Sequence, residues 1–115
     1  MQNGGMKATE TRDSRADLSE EQAERLAEVM QALASSVRLR ILSLLSEGPI
    51  TVTDLSERLG VAQTSVSNHL RLLRHLSLVS GNREGRNIFY SLYDDHVADL
   101  LDEAVGHVAH LPRMG

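Results

Sequence analysis

The sequence predicts a mainly α-helical domain with one β-hairpin, and three observations lead to this fold class. Two helical segments meet at Gly60 with only a short turn between them, which is the pattern of a helix-turn-helix. Two alternating segments, residues 78–81 and 87–92, follow as a hairpin. A final helix carries an apolar sector wide enough to pair with a second helix. This order of elements predicts a winged helix-turn-helix that forms a homodimer through its N- and C-terminal helices.

Length and composition limit the class of protein. The 115 residues suffice for one domain, which we expect over residues 18–111, between a disordered tail at 1–17 and a short tail at 112–115. Only three aromatic residues argue against a protein that stacks nucleobases. The absence of cysteine removes disulfides and thiolate ligands and fits a cytoplasmic location. The sequence shows no apolar run of membrane-spanning length and no secretory leader, so we expect no contact with a membrane.

The net charge of −4 is unevenly distributed along the chain. Residues 1–57 hold six basic and ten acidic side chains, residues 58–86 hold five and one, and residues 87–115 hold one and five. A basic middle segment between acidic ends predicts one surface that meets phosphates, while the remainder repels them.

Two helices precede the basic segment. The first begins after Ser19, where Glu21 and Gln22 suit a capping box, and its apolar residues recur every three or four positions. The second is capped by Ser35 or Ser36, is apolar on most sides, and ends at Gly48-Pro49. We expect this second helix to be central in the core.

The helix-turn-helix follows, with a first helix over residues 53–59, a turn at Gly60, Val61 as a buried peg and a second helix over residues 63–75. The second helix turns Val66, Leu70 and Leu73 inward. Its opposite side carries short hydrogen-bonding groups and one arginine, which suits contact with base edges and phosphates. The residues predicted to bind DNA here are Gln63, Thr64, Ser65, Ser67, Asn68, His69 and Arg71. His75 is expected to be a polar surface or packing residue.

The hairpin is expected to act as the wing. A five-residue loop, 82–86, joins its strands, and Gly85 supplies the positive φ that such a loop needs. Arg83 and Arg86 are predicted at the tip of this loop, where they would contact the DNA backbone or minor groove.

The final helix, from Asp94 or Asp95 to His110, carries candidate metal ligands at both ends: Asp94, His96, His107 and His110. Eleven residues of helix bring His96 and His107 to one face but separate them by about 16 Å. One ion cannot bridge that distance, because zinc–nitrogen bonds are only about 2 Å long. The spacing therefore predicts two sites per homodimer, each formed by Asp94 and His96 of one chain with His107 and His110 of the other.

Other acidic residues complicate this ligand set. Asp94 and Asp95 both suit the N-cap of the helix, and one can cap while the other ligates. Asp99 and Glu103 share the histidine edge, where they are candidate supplementary ligands or acceptors for the ligands.

These motifs closely resemble the ArsR/SmtB family of bacterial metal-responsive repressors over about residues 26–111. The matching segments, in order, are Ala32-Leu33-Ala34, Arg38-Leu39, Ile41-Leu42, Val52-Thr53-Asp54-Leu55, Val66-Ser67, Leu70, Gly85-Arg86 and Tyr90-Ser91-Leu92. The ligand pattern of the last helix is similar to that of the family's zinc sensors. Residues 90–94 and 100–104, however, look most like its nickel- and cobalt-sensing branch.

The resemblance implies a repressor that leaves operator DNA when metal binds. The family's thiolate site, in the first helix of the helix-turn-helix, reads Thr51-Val52-Thr53 here, so chemistry with soft metals is lost. One carboxylate and three imidazoles suit tetrahedral Zn(II), which we expect as the inducer. Ni(II) or Co(II) stays open as the alternative, with extra ligands. The resemblance also implies that the free ring nitrogen of His107 donates to a main-chain carbonyl near Ser77, which links the metal site to the DNA-binding helices.

Two classes of function remain after these observations. The chain is a metal-released repressor, or it is a DNA-binding dimer that metal only stabilises. A zinc hydrolase is excluded, because four protein ligands leave no open position and no H-E-x-x-H motif is present. We therefore expect no enzymatic activity and no small-molecule substrate.

Overall fold

The computed structural model describes residues 17–112. Within these residues the chain divides into two compact units, residues 17–31 and 32–112. Apart from Asp17, the predicted disordered tail lies outside the described residues, as do residues 113–115 of the predicted C-terminal tail.

Helix α1 spans Glu20–Leu33 and begins as the sequence predicts. The hydroxyl of Ser19 accepts from the backbone nitrogen of Gln22 (3.1 Å), and the side-chain oxygen of Gln22 accepts from the backbone nitrogen of Ser19 (3.0 Å). This reciprocal pair is a capping box, which satisfies two backbone donors that a helix start otherwise leaves open.

Helix α2 spans Ser36–Leu45 and is capped by Ser35, whose hydroxyl accepts from the backbone nitrogen of Arg38 at 3.3 Å. It supplies a large share of the core through Ile41, Leu42 and Leu45, which confirms its central place. Leu39 departs from this pattern, because its side chain remains exposed at the surface of the single chain.

The helix-turn-helix consists of α3, Val52–Leu59, and α4, Gln63–His75. Gly60 ends α3 with a left-handed φ of 68°, as predicted. Val61 is half-buried and is not the buried peg that we expected. Hydrogen bonds fix this turn instead, since the hydroxyl of Ser56 donates to the carbonyl of Val61 (2.5 Å) and the carbonyl of Ser56 accepts from the nitrogen of Gly60 (2.9 Å).

Three antiparallel strands form a small sheet in the order β1-β3-β2. They are β1, Ile50–Thr51, β2, Val79–Glu84, and β3, Asn87–Leu92. The first strand was not predicted, because two residues are too short to show alternation. Its Thr51 also caps α3, accepting from the backbone nitrogen of Asp54 at 3.2 Å.

The prediction of a five-residue loop at the tip of the wing is wrong. The strand ladder continues to the pair of Glu84 with Asn87, which leaves a two-residue turn at Gly85-Arg86. Gly85 adopts φ 65°, and a positive φ at that position permits so tight a turn. Arg83 consequently lies within β2, opposite Ile88, and not at the tip.

Helix α5 spans Asp95–Ala109, with Asp94 as its N-cap and His110 as its C-cap, which matches the prediction. Val97 and Leu101 are the residues through which it joins the core. Within residues 17–112, none of the helices combines the length and the apolar character that crossing a membrane requires.

Candidate nucleic-acid interface and metal centre

Helix α4 has a buried side and an exposed side, as its sequence predicts. Val66, Leu70 and Leu73 have almost no accessible surface and fix the rotation of the helix. On the opposite side, at intervals of four, three and four residues, an exposed stripe contains Thr64, Asn68, Arg71 and His75. Residues at this spacing share one helix face, so the first three of these candidates are presented together for contact with a groove.

The other candidates on α4 lie beside this stripe. Gln63 is exposed at the first turn, while Ser65 and Ser67 are half-buried on opposite flanks. Asn68 has a further role, since its side-chain oxygen accepts from Nη1 of Arg71 at 2.9 Å. This bond orients the guanidinium without cancelling its charge, because the amide is neutral.

His69 faces α2 and not the exposed stripe. Its Nδ1 lies 3.3 Å from Nη1 of Arg38, and Nε of Arg38 donates to the carbonyl of Ala32 at 2.6 Å. An arginine only donates, so Nδ1 accepts and the proton of the neutral ring sits on Nε2. Burial and, secondarily, the positive charge of Arg38 lower the pKa of His69, which favours this neutral form.

The wing adds two exposed arginines, Arg83 on β2 and Arg86 in the turn. Arg58, the basic residue of α3, is placed differently, because its Nη1 lies 3.7 Å from a carboxylate oxygen of Glu47. Besides Arg58, α4 and the wing carry exposed positive charge that is available to a phosphate.

Sequence reasoning missed three residues that the structure brings to this surface. Arg74, His75 and Tyr90 join Ser67 and Arg71 around an open cleft of about 430 Å³ between α4 and β3. For His75 a signal was available, since it continues the stripe of Thr64 and Arg71. The position of Tyr90 depends on the strand register, which the incorrect loop had left undefined.

The N-terminal end of α5 brings two candidate ligands together. Oδ1 of Asp94 caps the helix by accepting from the backbone nitrogen of Val97 at 3.2 Å. Oδ2 of the same carboxylate lies 3.5 Å from Nδ1 of His96, whose side chain is 95 % exposed. Capping therefore uses one carboxylate oxygen, and the other faces the imidazole.

The C-terminal end of α5 carries the second pair, His107 and His110, and both are exposed. The helix is continuous between the pairs, so the rise of about 1.5 Å per residue keeps His96 and His107 about 16 Å apart. In the part of one chain that the structure describes, no three side chains of the ligand type gather in one place. A single chain thus carries two separate pairs of candidate ligands.

An apolar groove runs beside these pairs. Val105 and Val108 on α5 are 63 % and 65 % exposed, and exposed Leu39 lies across from them on α2. The groove encloses about 500 Å³, and its walls include Leu101, Ala104 and Ala109. Apolar surface of this kind is typical of a protein–protein interface.

The family model for "Bacterial regulatory protein, arsR family" matches residues 35–80. The transcriptional regulator NmtR of Mycobacterium tuberculosis is 54 % identical over 96 residues, which cover 84 % of this chain and 80 % of that protein. This chain belongs to the ArsR/SmtB family of metal-responsive regulators.

Further relatives agree with this membership. The SmtB repressor homologue of Synechocystis is 42 % identical over 79 % of this chain and 69 % of its own length. The solution structure of apo-NmtR superposes on this ArsR-family chain with a TM-score of 0.71 at 53 % identity, covering 85 % of this chain and 82 % of that one.

A homodimeric winged helix-turn-helix DNA-binding domain from Mycobacterium bovis gives a TM-score of 0.73 at 27 % identity, covering 99 % of this chain and 97 % of that one. These likenesses confirm the predicted fold class. The family is one of DNA-binding, metal-sensing transcriptional regulators, and the prediction that this chain is not an enzyme is confirmed.

Proposed function

We propose that this ArsR-family chain is a homodimeric repressor that leaves its operator when Ni(II) or Co(II) binds between the C-terminal helices. The observation that carries the proposal is the arrangement of two donor pairs about 16 Å apart on one continuous helix. Identity of 54 % to NmtR supports the nickel and cobalt alternative over the zinc reading that the ligand count favours.

Homodimer formation follows from the exposed apolar face of α5. Val105 and Val108 leave apolar surface open to water in one chain, and a second copy of α5 would cover it. A two-fold axis would then place Asp94 and His96 of one chain near His107 and His110 of the other. The homodimeric relative from Mycobacterium bovis is consistent with this assembly.

The donors suit metals of intermediate hardness. Imidazole and carboxylate ligands bind nickel, cobalt and zinc, whereas the absence of cysteine disfavours the softest metals. A bound ion would supply positive charge that draws donors of two chains together. Asp99 and Glu103, both exposed on α5, are carboxylates of the histidine edge that would raise the number of ligands.

Zn(II) is the second candidate inducer. One carboxylate and three imidazoles make four ligands, which is the number that tetrahedral zinc requires. The two candidates thus differ in coordination number, and absorption spectra of the cobalt- and nickel-loaded protein distinguish four-coordinate from six-coordinate sites.

On the DNA side, we place Thr64, Asn68 and Arg71 against bases and phosphates of the major groove, with Arg83 and Arg86 on the backbone. Gln63, Ser65 and Ser67 flank these contacts. His69 is held by Arg38 and would approach DNA only through Nε2.

We place the link from metal to DNA at the end of α4. Ser77 follows that helix with a positive φ of 59°, and its nitrogen donates to the carbonyl of Arg74 at 3.0 Å. In the metal-bound dimer, the free ring nitrogen of His107 would donate to a main-chain carbonyl near Ser77. Replacing His107 with Asn should disable release while leaving repression intact.

The deciding experiment measures operator affinity with and without Ni(II), Co(II) and Zn(II), for the natural chain and for His96→Gln. Coupling between two ligands is reciprocal, so the metal that weakens operator binding most should itself bind more weakly to the DNA complex. Asp95→Asn, which removes the neighbouring acid, is the control and should respond as the natural chain does. Operator affinity that no metal changes would leave only a metal-stabilised DNA-binding dimer.

A further inference from the structure

A cleft lies between the C-terminal half of α4 and strand β3, and the proposed contacts of α4 with DNA bases give it no role. It encloses about 430 Å³ and is open to solvent. Its walls are formed by Ser67, Arg71, Arg74, His75 and Tyr90. Three of these residues, Arg74, His75 and Tyr90, belong neither to the predicted DNA contacts nor to the metal ligands.

The lining of the cleft is suited to an anion. Two guanidinium groups, two hydroxyls and one imidazole provide hydrogen-bond donors, and no carboxylate is among the described residues that line it. The guanidinium of Arg71 is oriented by the neutral side chain of Asn68 at 2.9 Å and keeps its full charge. Planar, fixed guanidinium groups bind phosphate oxygens through paired hydrogen bonds.

Tyr90 is positioned by the glycine opposite it in the sheet. Gly81 pairs with Tyr90 across β2 and β3, and a Cβ at residue 81 would lie 3.1 Å from Cε1 of the tyrosine ring. It would also lie 3.2 Å from Cγ2 of Ile88. The ring thus occupies the space that a side chain at residue 81 would need, and this packing fixes it at the edge of the cleft.

The cleft also continues the exposed stripe of α4. His75 lies eleven residues after Thr64, which is about 16 Å farther along the same helix face. We propose that this cleft binds a backbone phosphate of the DNA duplex, once in each half-site, beside the groove that the first half of α4 reads. The proposal rests on DNA binding, and neither the identity of the metal nor metal-induced release enters it.

The test uses the metal-free, full-length protein with Arg74→Gln and Tyr90→Phe. Arg40→Gln, at an exposed arginine on α2, is the matched control. Affinities for the operator and for a scrambled duplex are measured by fluorescence anisotropy over a range of NaCl concentrations. Circular dichroism melting shows that each variant is folded, and Tyr90→Phe keeps the ring packing while removing the hydroxyl.

Arg74→Gln should weaken binding to both duplexes by a similar factor, about tenfold, and should lower the salt dependence by about two counterions per dimer. Tyr90→Phe should cause a smaller loss, again equal for the two duplexes. Affinity and salt dependence equal to those of Arg40→Gln would overturn the proposal. A loss confined to the operator would also overturn it, since that result indicates a base contact. Failure of metal-induced release would refute the proposed function but leave these metal-free results intact.

Discussion

Nη1 of Arg38 lies 3.3 Å from Nδ1 of His69, although 31 residues separate them in the sequence. The same guanidinium donates through Nε to the carbonyl of Ala32, near the end of α1. One side chain on α2 therefore connects Ala32 with α4, the helix predicted to read DNA. Fixing that helix against its neighbours is a requirement for matching it to a groove.

Removing this connection should destabilise the fold. Arg38→Ala leaves the carbonyl of Ala32 and the ring of His69 without this donor, and we expect the free energy of unfolding to fall by about 1–3 kcal/mol. Chemical denaturation measures the change. The neighbouring exposed arginine gives the control, because Arg40→Ala should alter the same quantity by less than about 0.5 kcal/mol. Equal effects at the two positions would contradict the role given to Arg38.

The pH dependence of stability should contain a contribution from His69. Its pKa is lowered by burial and, to a smaller extent, by Arg38. As the pH falls through about 6.5, the ordinary pKa of a histidine, the unfolded chain takes up this proton before the folded chain does. Stability from this group is therefore present at neutral pH and decreases towards acid pH.

Denaturation at pH 7.5 and pH 5.5 checks this sign, since His69→Gln should reduce the loss of stability between the two conditions. His75→Gln, at an exposed histidine of the same helix, is the matched control. A pH dependence identical in the natural chain and in His69→Gln would show that the environment of this ring does not contribute.

Residue 60 favours glycine because of its backbone conformation, and not because a side chain would lack room. Its φ is 68°, and a Cβ placed there would meet nothing within 4 Å. Gly60→Ala should lower the free energy of unfolding by about 1 kcal/mol, because an alanine is strained in the left-handed region. Gly106 within α5 is equally open but helical, so Gly106→Ala should instead stabilise the protein by up to about 1 kcal/mol. Thermal melting of both variants tests whether their effects have opposite signs.

Asp94 has one observed role, capping α5, and one proposed role, binding metal, and substitutions can separate the two. Asn retains the oxygen that accepts from Val97 but loses the negative charge, so Asp94→Asn should keep the stability of the fold and weaken metal binding. Asp94→Ala should lose about 1 kcal/mol of stability as well. Titration of each variant with Ni(II), beside a melting curve, distinguishes the roles. Unchanged metal affinity in Asp94→Asn would remove this residue from the proposed ligand set.

The exposed face of α5 should control assembly. Val108→Glu places a charge in the apolar groove and should shift the protein from dimer to monomer in analytical ultracentrifugation, with loss of operator binding. Gly106→Glu adds the same charge two residues earlier, about 160° round the helix from Val108. That control should remain dimeric. Dimers of equal stability in both variants would show that the dimer interface does not include this face of α5.

Local patterns in the sequence were sufficient for much of the fold. The spacing of Val66, Leu70 and Leu73 correctly predicted the buried side of α4, and Ser19 and Asp94 correctly predicted two helix starts, because period and capping are local properties. The wing was mispredicted because the turn at Gly85 is tighter than its polar residues indicate.

In the candidate sites too, features set by local spacing could be predicted from the sequence, whereas features set by contacts between distant segments could not. The continuous helix α5 keeps the candidate ligands in two separate pairs, as their spacing predicts, because helical rise depends on sequence distance alone. Their role as ligands stays a prediction. The contact of His69 with Arg38 could not be predicted, since it joins two helices that are distant in sequence. The placement of Tyr90 against Gly81 likewise depends on a strand register that only the folded sheet defines.

The separation of the two donor pairs along α5 has a consequence for the response in the cell. When each proposed site takes half of its donors from a second chain, metal and protein association are thermodynamically linked. Dilution of the protein would then lower its apparent affinity for metal, and metal would tighten the dimer. The threshold at which the operator is released would depend on the abundance of the regulator itself, so a gene under its control would respond to two concentrations at once.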